Sequence, residues 1–409
     1  MVKSVLIFAD DAKGMQQVYG IPAIRRLVLL ARLLGFDKIH IIGRDKELLP
    51  VVSDLIGADS FHLHEQEPDL FSTVVKLGFD EEEFVLVLKA GHVIDRWSLD
   101  RLLKAQKGQE VSLLERGGEM GDERIFFVKA PRLLQLPHSL RASKRPEAVL
   151  EADAVHVKAG SGLPVLLDGG SEKVRAAEAG LSAAVGEATW ERDSLLYRHA
   201  SRHISRLMSP GIARTRMTAN TVTLLNALLG LAGAFLLSVG GHLFQIMGTL
   251  VFVFSTIVDL VDGEVARLKM QESKFGHYLD IICDNIVHLA VFIGIAIGLY
   301  RETANGLFIY LLWFFLGGLG LCALILNQIL AERHAGMQKS RLAVTCEALF
   351  NNRDFAYLMV GFALFHRLDW FFVAAAFGSY LLAGTLWVAE LITRRKKQWI
   401  VDSKKRGNR

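Results

Sequence analysis

Cysteine is scarce. The 409-residue chain has three, Cys283, Cys322 and Cys346, scattered along its second half. They form neither a disulfide framework nor a zinc-site spacing. An excess of one charge is also missing: 47 basic residues stand against 43 acidic ones, a net +4. The positive charge that exists gathers beside apolar runs, so it reads as a membrane orientation signal and no nucleic-acid partner is expected. The N-terminal residues are not expected to be a signal peptide either. MVKSVLIFADD has an apolar run of only about five residues before its acids, whereas a signal peptide needs about 7–15. It reads as a β-strand.

Apolar residues are plentiful, at 51% of the chain with a mean hydropathy of +0.31. They are unevenly placed. The composition divides the chain into a cytoplasmic α/β domain over 1–186, an amphipathic juxtamembrane helix over 187–217, a six-span all-α membrane domain over 218–393 and a basic cytoplasmic tail over 394–409.

In the first domain, strands are expected at 5–10, 38–43, 84–90, 111–115 and 124–130. Helices are expected at 21–35, between Pro22 and Gly35, and at 97–108. Strand–helix alternation predicts a mainly parallel sheet. This order, with the GIPAIRR helix and a strand ending in KAGHVID, resembles the nucleotidyltransferase domain of sugar-phosphate and inositol-phosphate cytidylyltransferases over residues 1–130. The resemblance implies a Rossmann-like fold. It weakens at the chemistry. The loop after the first strand, FADDAKGMQQVYG, is poor in glycine, and Ala90-Gly91-His92 stands where the family has a metal-binding aspartate. A nucleoside triphosphate loses its backbone cradle and its metal anchor there. Asp10, Asp11 and Lys13 are left as a divergent site or as acids facing water, and His92 as a loop histidine.

Between 187 and 217, Leu195, Leu196, Ile204, Leu207 and Met208 make an apolar stripe beside arginines and histidines. That pattern suits a helix lying on an anionic leaflet, or one packed between domains. Pro210 and Gly211 are expected to end it. Six apolar segments follow, near 219–239, 243–265, 277–300, 305–328, 355–367 and 369–392; the fifth is short unless CEALFNNRDF completes it. Alternate loops carry the basic residues Arg214, Arg216, Lys269, Lys274, Arg333, Lys339, Arg341 and Arg353. The positive-inside rule then predicts a multi-pass protein of the cytoplasmic (inner) membrane, with both termini and the active site in the cytoplasm.

Residues 259–284 read DLVDGEVARLKMQESKFGHYLDIICD. Asp259 and Asp262 share one helix face, and Asp280 and Asp284 another. A short connection lets the four carboxylates converge. Acids in apolar helices are costly and mark function. Oxygen donors without Cys or His suit Mg2+ or Mn2+, and two ions would stabilise a pyrophosphate undergoing displacement. Gly263 and Gly276 leave room for a ligand against the backbone, and Arg267 can grip phosphate. Ion transport also buries acids, but near the midplane and on broken helices, which this pattern lacks.

The spacing Asp259-x2-Asp262-Gly263-x2-Ala266-Arg267-x8-Gly276-x3-Asp280-x3-Asp284 resembles, at every fixed position, the signature of the CDP-alcohol phosphotransferases. The family's TPN-x-x-T stretch corresponds to residues 218–223, with Ala219 in place of proline and Asn220 and Thr223 kept. The resemblance implies transfer of a substituted phosphate from a CDP-linked donor to an alcohol or alcohol phosphate, with release of CMP. It implies that Asp259, Asp262, Asp280 and Asp284 hold two metal ions, and that Asp284 is also general base. Gly263, Ala266, Arg267, Gly276, Asn220 and Thr223 would meet the nucleotide, and a homodimer is expected. The architecture resembles the bifunctional inositol-phosphate cytidylyltransferase/di-myo-inositol-phosphate phosphate synthases. CDP-diacylglycerol as donor stays open. So do two roles for the first domain, a working cytidylyltransferase or a binding and dimerisation module. Arg333, Lys339 and Arg341 are candidates for the acceptor pocket.

Overall fold

The computed structural model describes residues 3–9, 12–43, 48–55, 61–63, 77–105, 110–116, 125–134, 154–160, 162–190, 201–334 and 355–407. The chain forms two compact units. The first comprises Met1–Arg192, Arg206–Thr218 and Gly263–Glu272; the second comprises Asp193–Ser205, Ala219–Asp262 and Ser273–Arg409.

Seven strands build the sheet of the first unit: β1 (Lys3–Ala9), β2 (Lys38–Gly43), β3 (Phe61–Leu63), β4 (Phe84–Lys89), β5 (Val111–Arg116), β6 (Ile125–Lys129) and β7 (Val155–Ala159). Their spatial order is β7-β5-β6-β4-β1-β2-β3. β1 is central and buried on both faces, which is why KSVLIFA runs apolar without alternation. It pairs in parallel with β2 and β4, as β2 does with β3 and β7 with β5. β6 runs antiparallel to both its neighbours. The eight residues joining β5 to β6 are fewer than the dozen or so that a parallel crossover needs. The sheet is therefore mixed rather than wholly parallel.

Helix α1 (Ala23–Leu33) buries Ile24, Leu27, Val28, Leu30 and Ala31 against the sheet, and Gly35 at φ +71° follows its end. Two further long helices of this part are α2 (Arg96–Ala105) and α3 (Ser171–Trp190). Before α1 the chain makes a two-residue hairpin turn at Tyr19 and Gly20, both with positive φ, as such a turn requires. Tyr19 is held there by Glu178 of α3. Its amide donates to the carboxylate at 3.2 Å and its hydroxyl to the Glu178 carbonyl at 2.9 Å. Burial, then the Glu178 charge, pushes the Tyr19 phenol up to about 12. His92 is no loop histidine in water. It is buried, accepts from the Lys89 amide at 2.9 Å, and lies on a two-residue strand paired with Val165–Leu166. Asp10 and Asp11 lie outside the described residues.

Helix α4 (Ser201–Ala213) runs through Pro210 instead of stopping there. Proline removes one N–H from the ladder, and beside it the Ser209 hydroxyl ties the helix to Glu264, donating at 2.6 Å. The burial is inverted for a water-exposed helix. Ser201, Arg202, Ser205 and Ser209 are buried while Ile204 and Leu207 are exposed. An apolar face left open beside a buried polar face is the arrangement that suits a lipid leaflet. Leu195 and Leu196 lie outside the described residues.

The remaining helices are α5 (Ala219–Val239), α6 (His242–Leu268), α7 (Lys274–Thr303), α8 (Leu307–His334), α9 (Phe355–Leu364) and α10 (Leu368–Gly407). Among the described residues, five are long and apolar enough to span a bilayer: α5, α6, α7, Leu307–Gln328 of α8 and Leu368–Ile392 of α10. The expected fifth segment is a ten-residue helix, α9; most of the stretch proposed to complete it, 346–354, is outside the described residues. Small residues bring α5 and α7 together, as lipid-embedded helices require. A side chain on Gly294 would collide with the Ala234 carbonyl, and one on Gly298 with the Leu237 carbonyl. Gly298→Val should therefore cost about 1–3 kcal/mol, the usual range for overpacking, and lower the thermal midpoint in detergent. Gly320→Ala, where a Cβ meets open space, should hold or raise it.

Candidate metal and nucleotide site

The signature stretch folds as a helical hairpin. α6 carries Asp259 and Asp262, a connection over 269–273 follows, and α7 carries Asp280 and Asp284. Ser273 caps α7, its hydroxyl accepting from the Gly276 amide at 3.0 Å. Such a cap satisfies one of the four amides that a helix start leaves without partners. Carboxylate oxygens of Asp259, Asp280 and Asp284 lie within 4.8 Å of one another. Asp259 and Asp262 are buried, at 8% and 5% exposure.

Polar groups of α5 serve these acids. Thr223 donates to Asp262 at 2.6 Å. Asn226 donates to Asp259 at 3.5 Å and is itself fixed by Ser255, which donates to its side-chain oxygen at 2.9 Å. Asn220 approaches Gly276 so closely that a Cβ there would lie 2.9 Å from its Oδ1. Asn220, Thr223 and Asn226 recur every three residues, one face of a helix. Asn226 and Ser255 were legible only as polar residues inside apolar spans, which is a functional signal without an assigned partner. One turn beyond Asp284, the His288 ring lies 2.7 Å from the Asp284 carbonyl.

The donor set fits a hard divalent cation. All three clustered groups are carboxylates, and Asp280 Oδ1 is buried without a hydrogen-bond partner among the described residues. A buried charged oxygen left without a partner is expensive, and a cation would supply one.

The second half of the signature belongs to the first unit. Gly263 has open space where a side chain would stand. Glu264, which sequence reasoning passed over, is buried and accepts from Ser209 of α4 at 2.6 Å. Arg267 makes an ion pair with Glu272 at 3.7 Å, and Glu272 another with Arg96 at 3.7 Å. Arg267 also lines a cavity of about 410 Å3 together with Arg26, Arg96 and Trp97, within the size range of small-molecule sites. Arg333 falls in the last turn of α8, while Lys339 and Arg341 lie outside the described residues.

Residues 216–395 match the CDP-alcohol phosphatidyltransferase family. That segment is a CDP-alcohol phosphatidyltransferase domain. The chain is similar to the bifunctional IPC transferase and DIPP synthase of Archaeoglobus fulgidus, 34% identical over 138 residues, covering 33% of this chain and 26% of that one. It is similar to phosphatidylinositol phosphate synthase of Mycobacterium tuberculosis, 36% identical over 100 residues, covering 24% of this chain and 45% of the relative. The chain thus matches less than half the length of either relative. Nucleotidyltransferase-like structures are among the structural neighbours of the N-terminal sheet. One is CMP:2-keto-3-deoxy-manno-octonic acid synthetase complexed with CTP, with 14% identity, a TM-score of 0.34 and coverage of 43% of this chain and 98% of that one.

If the phosphatidyltransferase domain binds its cation through the clustered carboxylates, Asp280→Asn should weaken Mn2+ binding. The loss should exceed the about 10–100-fold typical of outer-shell partners, as read by Mn2+ titration of the detergent-solubilised protein. Ser255→Ala, acting through Asn226, should fall within that smaller range.

Proposed function

We propose that the protein is a metal-dependent CDP-alcohol phosphotransferase whose acceptor is an inositol phosphate. The observation that carries this reading is the carboxylate cluster of Asp259, Asp280 and Asp284, with the unpartnered Asp280 oxygen, inside a segment of this family. The names of both relatives support the inositol-phosphate class of acceptor.

Asp259, Asp262, Asp280 and Asp284 would hold two divalent cations, Mg2+ or Mn2+. Bound there, the cations supply charge neutralisation along the pyrophosphate. The chain's own residues do the rest. Thr223 and Asn226 hold Asp262 and Asp259 in place. Arg267 grips the diphosphate as a fork, Gly263 leaves the backbone open to the nucleotide, and Ala266, Gly276 and Asn220 would meet it. Asp284 takes the proton of the attacking hydroxyl. A new bond forms between that oxygen and the donor's distal phosphorus, the bond to the bridging oxygen breaks, and CMP leaves. A general base contributes about 10²–10⁴-fold, so Asp284→Asn should cut CMP release by at least that much. Normal release from folded Asp284→Asn protein would overturn the mechanism.

Two donors fit. A soluble CDP-inositol is favoured by the soluble domain in front of the membrane part and by the bifunctional relative. CDP-diacylglycerol is favoured by the phosphatidylinositol phosphate synthase relative and by a site formed on membrane helices. Incubation with each labelled donor and inositol phosphate should give CMP and a product partitioning into water in the first case and into organic solvent in the second. The reading includes a homodimer in the cytoplasmic membrane, with the site and both termini facing the cytoplasm. The first domain is proposed to bind or assemble rather than to make the donor. Residues 1–190 should release no pyrophosphate from CTP and inositol phosphate; turnover there would reverse that assignment.

A further inference from the structure

The last turn of α6 ends in a way that needs the N-terminal domain. Gln271 N donates to the Ala266 carbonyl at 2.7 Å and Met270 N to the Arg267 carbonyl at 3.2 Å. Met270 has φ +50°. This is the Schellman ending, which satisfies the carbonyls three and two places before the cap and puts one residue in the left-handed region. Glycine normally takes that place; here a methionine does, and it packs against the core that underlies α1. Lys269 is buried and donates to the Thr215 and Met217 carbonyls at 2.8 and 2.7 Å. One carbonyl this ending leaves over is that of Leu268, directly after Arg267.

Arg26 of α1 takes it. The Arg26 guanidinium is buried and donates through Nη2 to the Leu268 carbonyl and, at 3.4 Å, to the Val18 carbonyl. Its Nε has no hydrogen-bond partner among the described residues. Burial pushes the group down to about 10, still charged at neutral pH. A charge buried in a domain core is costly, and sheet packing alone gives it no task. A cation at a helix C-terminus is favourable, because the last carbonyls carry the negative end of the helix dipole.

We infer that Arg26 is a positioning residue for the phosphotransfer site, closing the C-terminal end of the helix that carries Asp259, Asp262, Gly263 and Arg267. The inference rests on the proposed function for its kinetic arm only. α6 is continuous from His242 to Leu268, so fraying at its end loosens Arg267 first and the aspartates, more than one turn back, less. Arg26 would therefore govern how firmly the CDP-linked donor is held more than the chemical step.

The test uses the full-length protein in detergent with Arg26→Met, which keeps the length and removes the donors, and Arg26→Lys, which keeps a charge able to serve one carbonyl. Amide hydrogen exchange over 268–272 should speed up in Arg26→Met. KM for the CDP donor should rise about 5–30-fold, the factor that one lost interaction of this kind sets, with kcat within about 2-fold. Arg26→Lys should recover part of both. A purely structural role predicts instead a lower thermal midpoint with KM unchanged, and that result overturns the inference. So does faster exchange without a KM change, and so does unchanged exchange. Should Arg26→Met fail to fold, Arg26→Lys carries the test, with a smaller rise in exchange and KM expected and no rise in either overturning it. Absence of CMP release from wild-type protein with every donor would refute the proposed function, while the exchange arm still decides the capping contact.

Discussion

A carboxylate inside an apolar helix must find partners within the protein, because lipid offers none. That constraint organises the second unit. Asp259 and Asp262 are buried near the end of α6, and the polar face of α5 exists to meet them. Asn226 and Thr223 reach across, and Ser255 reaches back to hold Asn226. Each residue would be a liability in its span alone. Together they leave one buried acidic oxygen, on Asp280, without a hydrogen bond among the described residues.

The glycines follow from the same demand. Short side chains such as Thr223 and Asn226 reach a neighbouring helix only if the backbones are close. Farther along the same face of α5, Gly294 and Gly298 let α7 approach until its backbone meets the carbonyls of Ala234 and Leu237. Close packing of α7 on α5, and the short connection from α6, bring the second aspartate pair to the first. Helix packing and site geometry are thus one problem, and the small residues at the crossing are as necessary to the cluster as the acids themselves.

What could be read from sequence was what repeats at helical or strand spacing. The four aspartates announce themselves because i, i+3 and i, i+4 positions share a face whatever the helix packs against, and a short connection forces antiparallel helices. The main strands were legible for the equivalent reason, as unbroken apolar runs buried on both faces. What escaped was set by rotation and by distant contacts. Asn226 and Ser255 look alike from sequence whether they face lipid or an aspartate. Glu264 reads as a surface acid until Ser209 is found beside it. Strand β7 is too short and polar to stand out, and His92 changes from loop to interior only because Val165–Leu166 pairs over its strand. Local rules say that Pro210 ends a helix, and the helix nonetheless runs on to Ala213.

The largest omission has the longest reach. Arg26 and Leu268 are 242 residues apart, and no periodicity links them. From sequence, the first domain resembles a nucleotidyltransferase fold without a phosphate loop or a metal aspartate, and a domain expected to lack that chemistry looks dispensable. Its contacts argue otherwise. The segment from Gly263 to Glu272 belongs with that domain as a compact unit, and it contains Arg267. Left-handed Met270 costs about 1–2 kcal/mol for want of a glycine, and such a conformation persists only where its surroundings hold it. The surroundings here are the α1 core, a buried arginine and the buried Lys269. Packing and hydrogen bonds at the end of α6 are enough to tie this segment to the first domain.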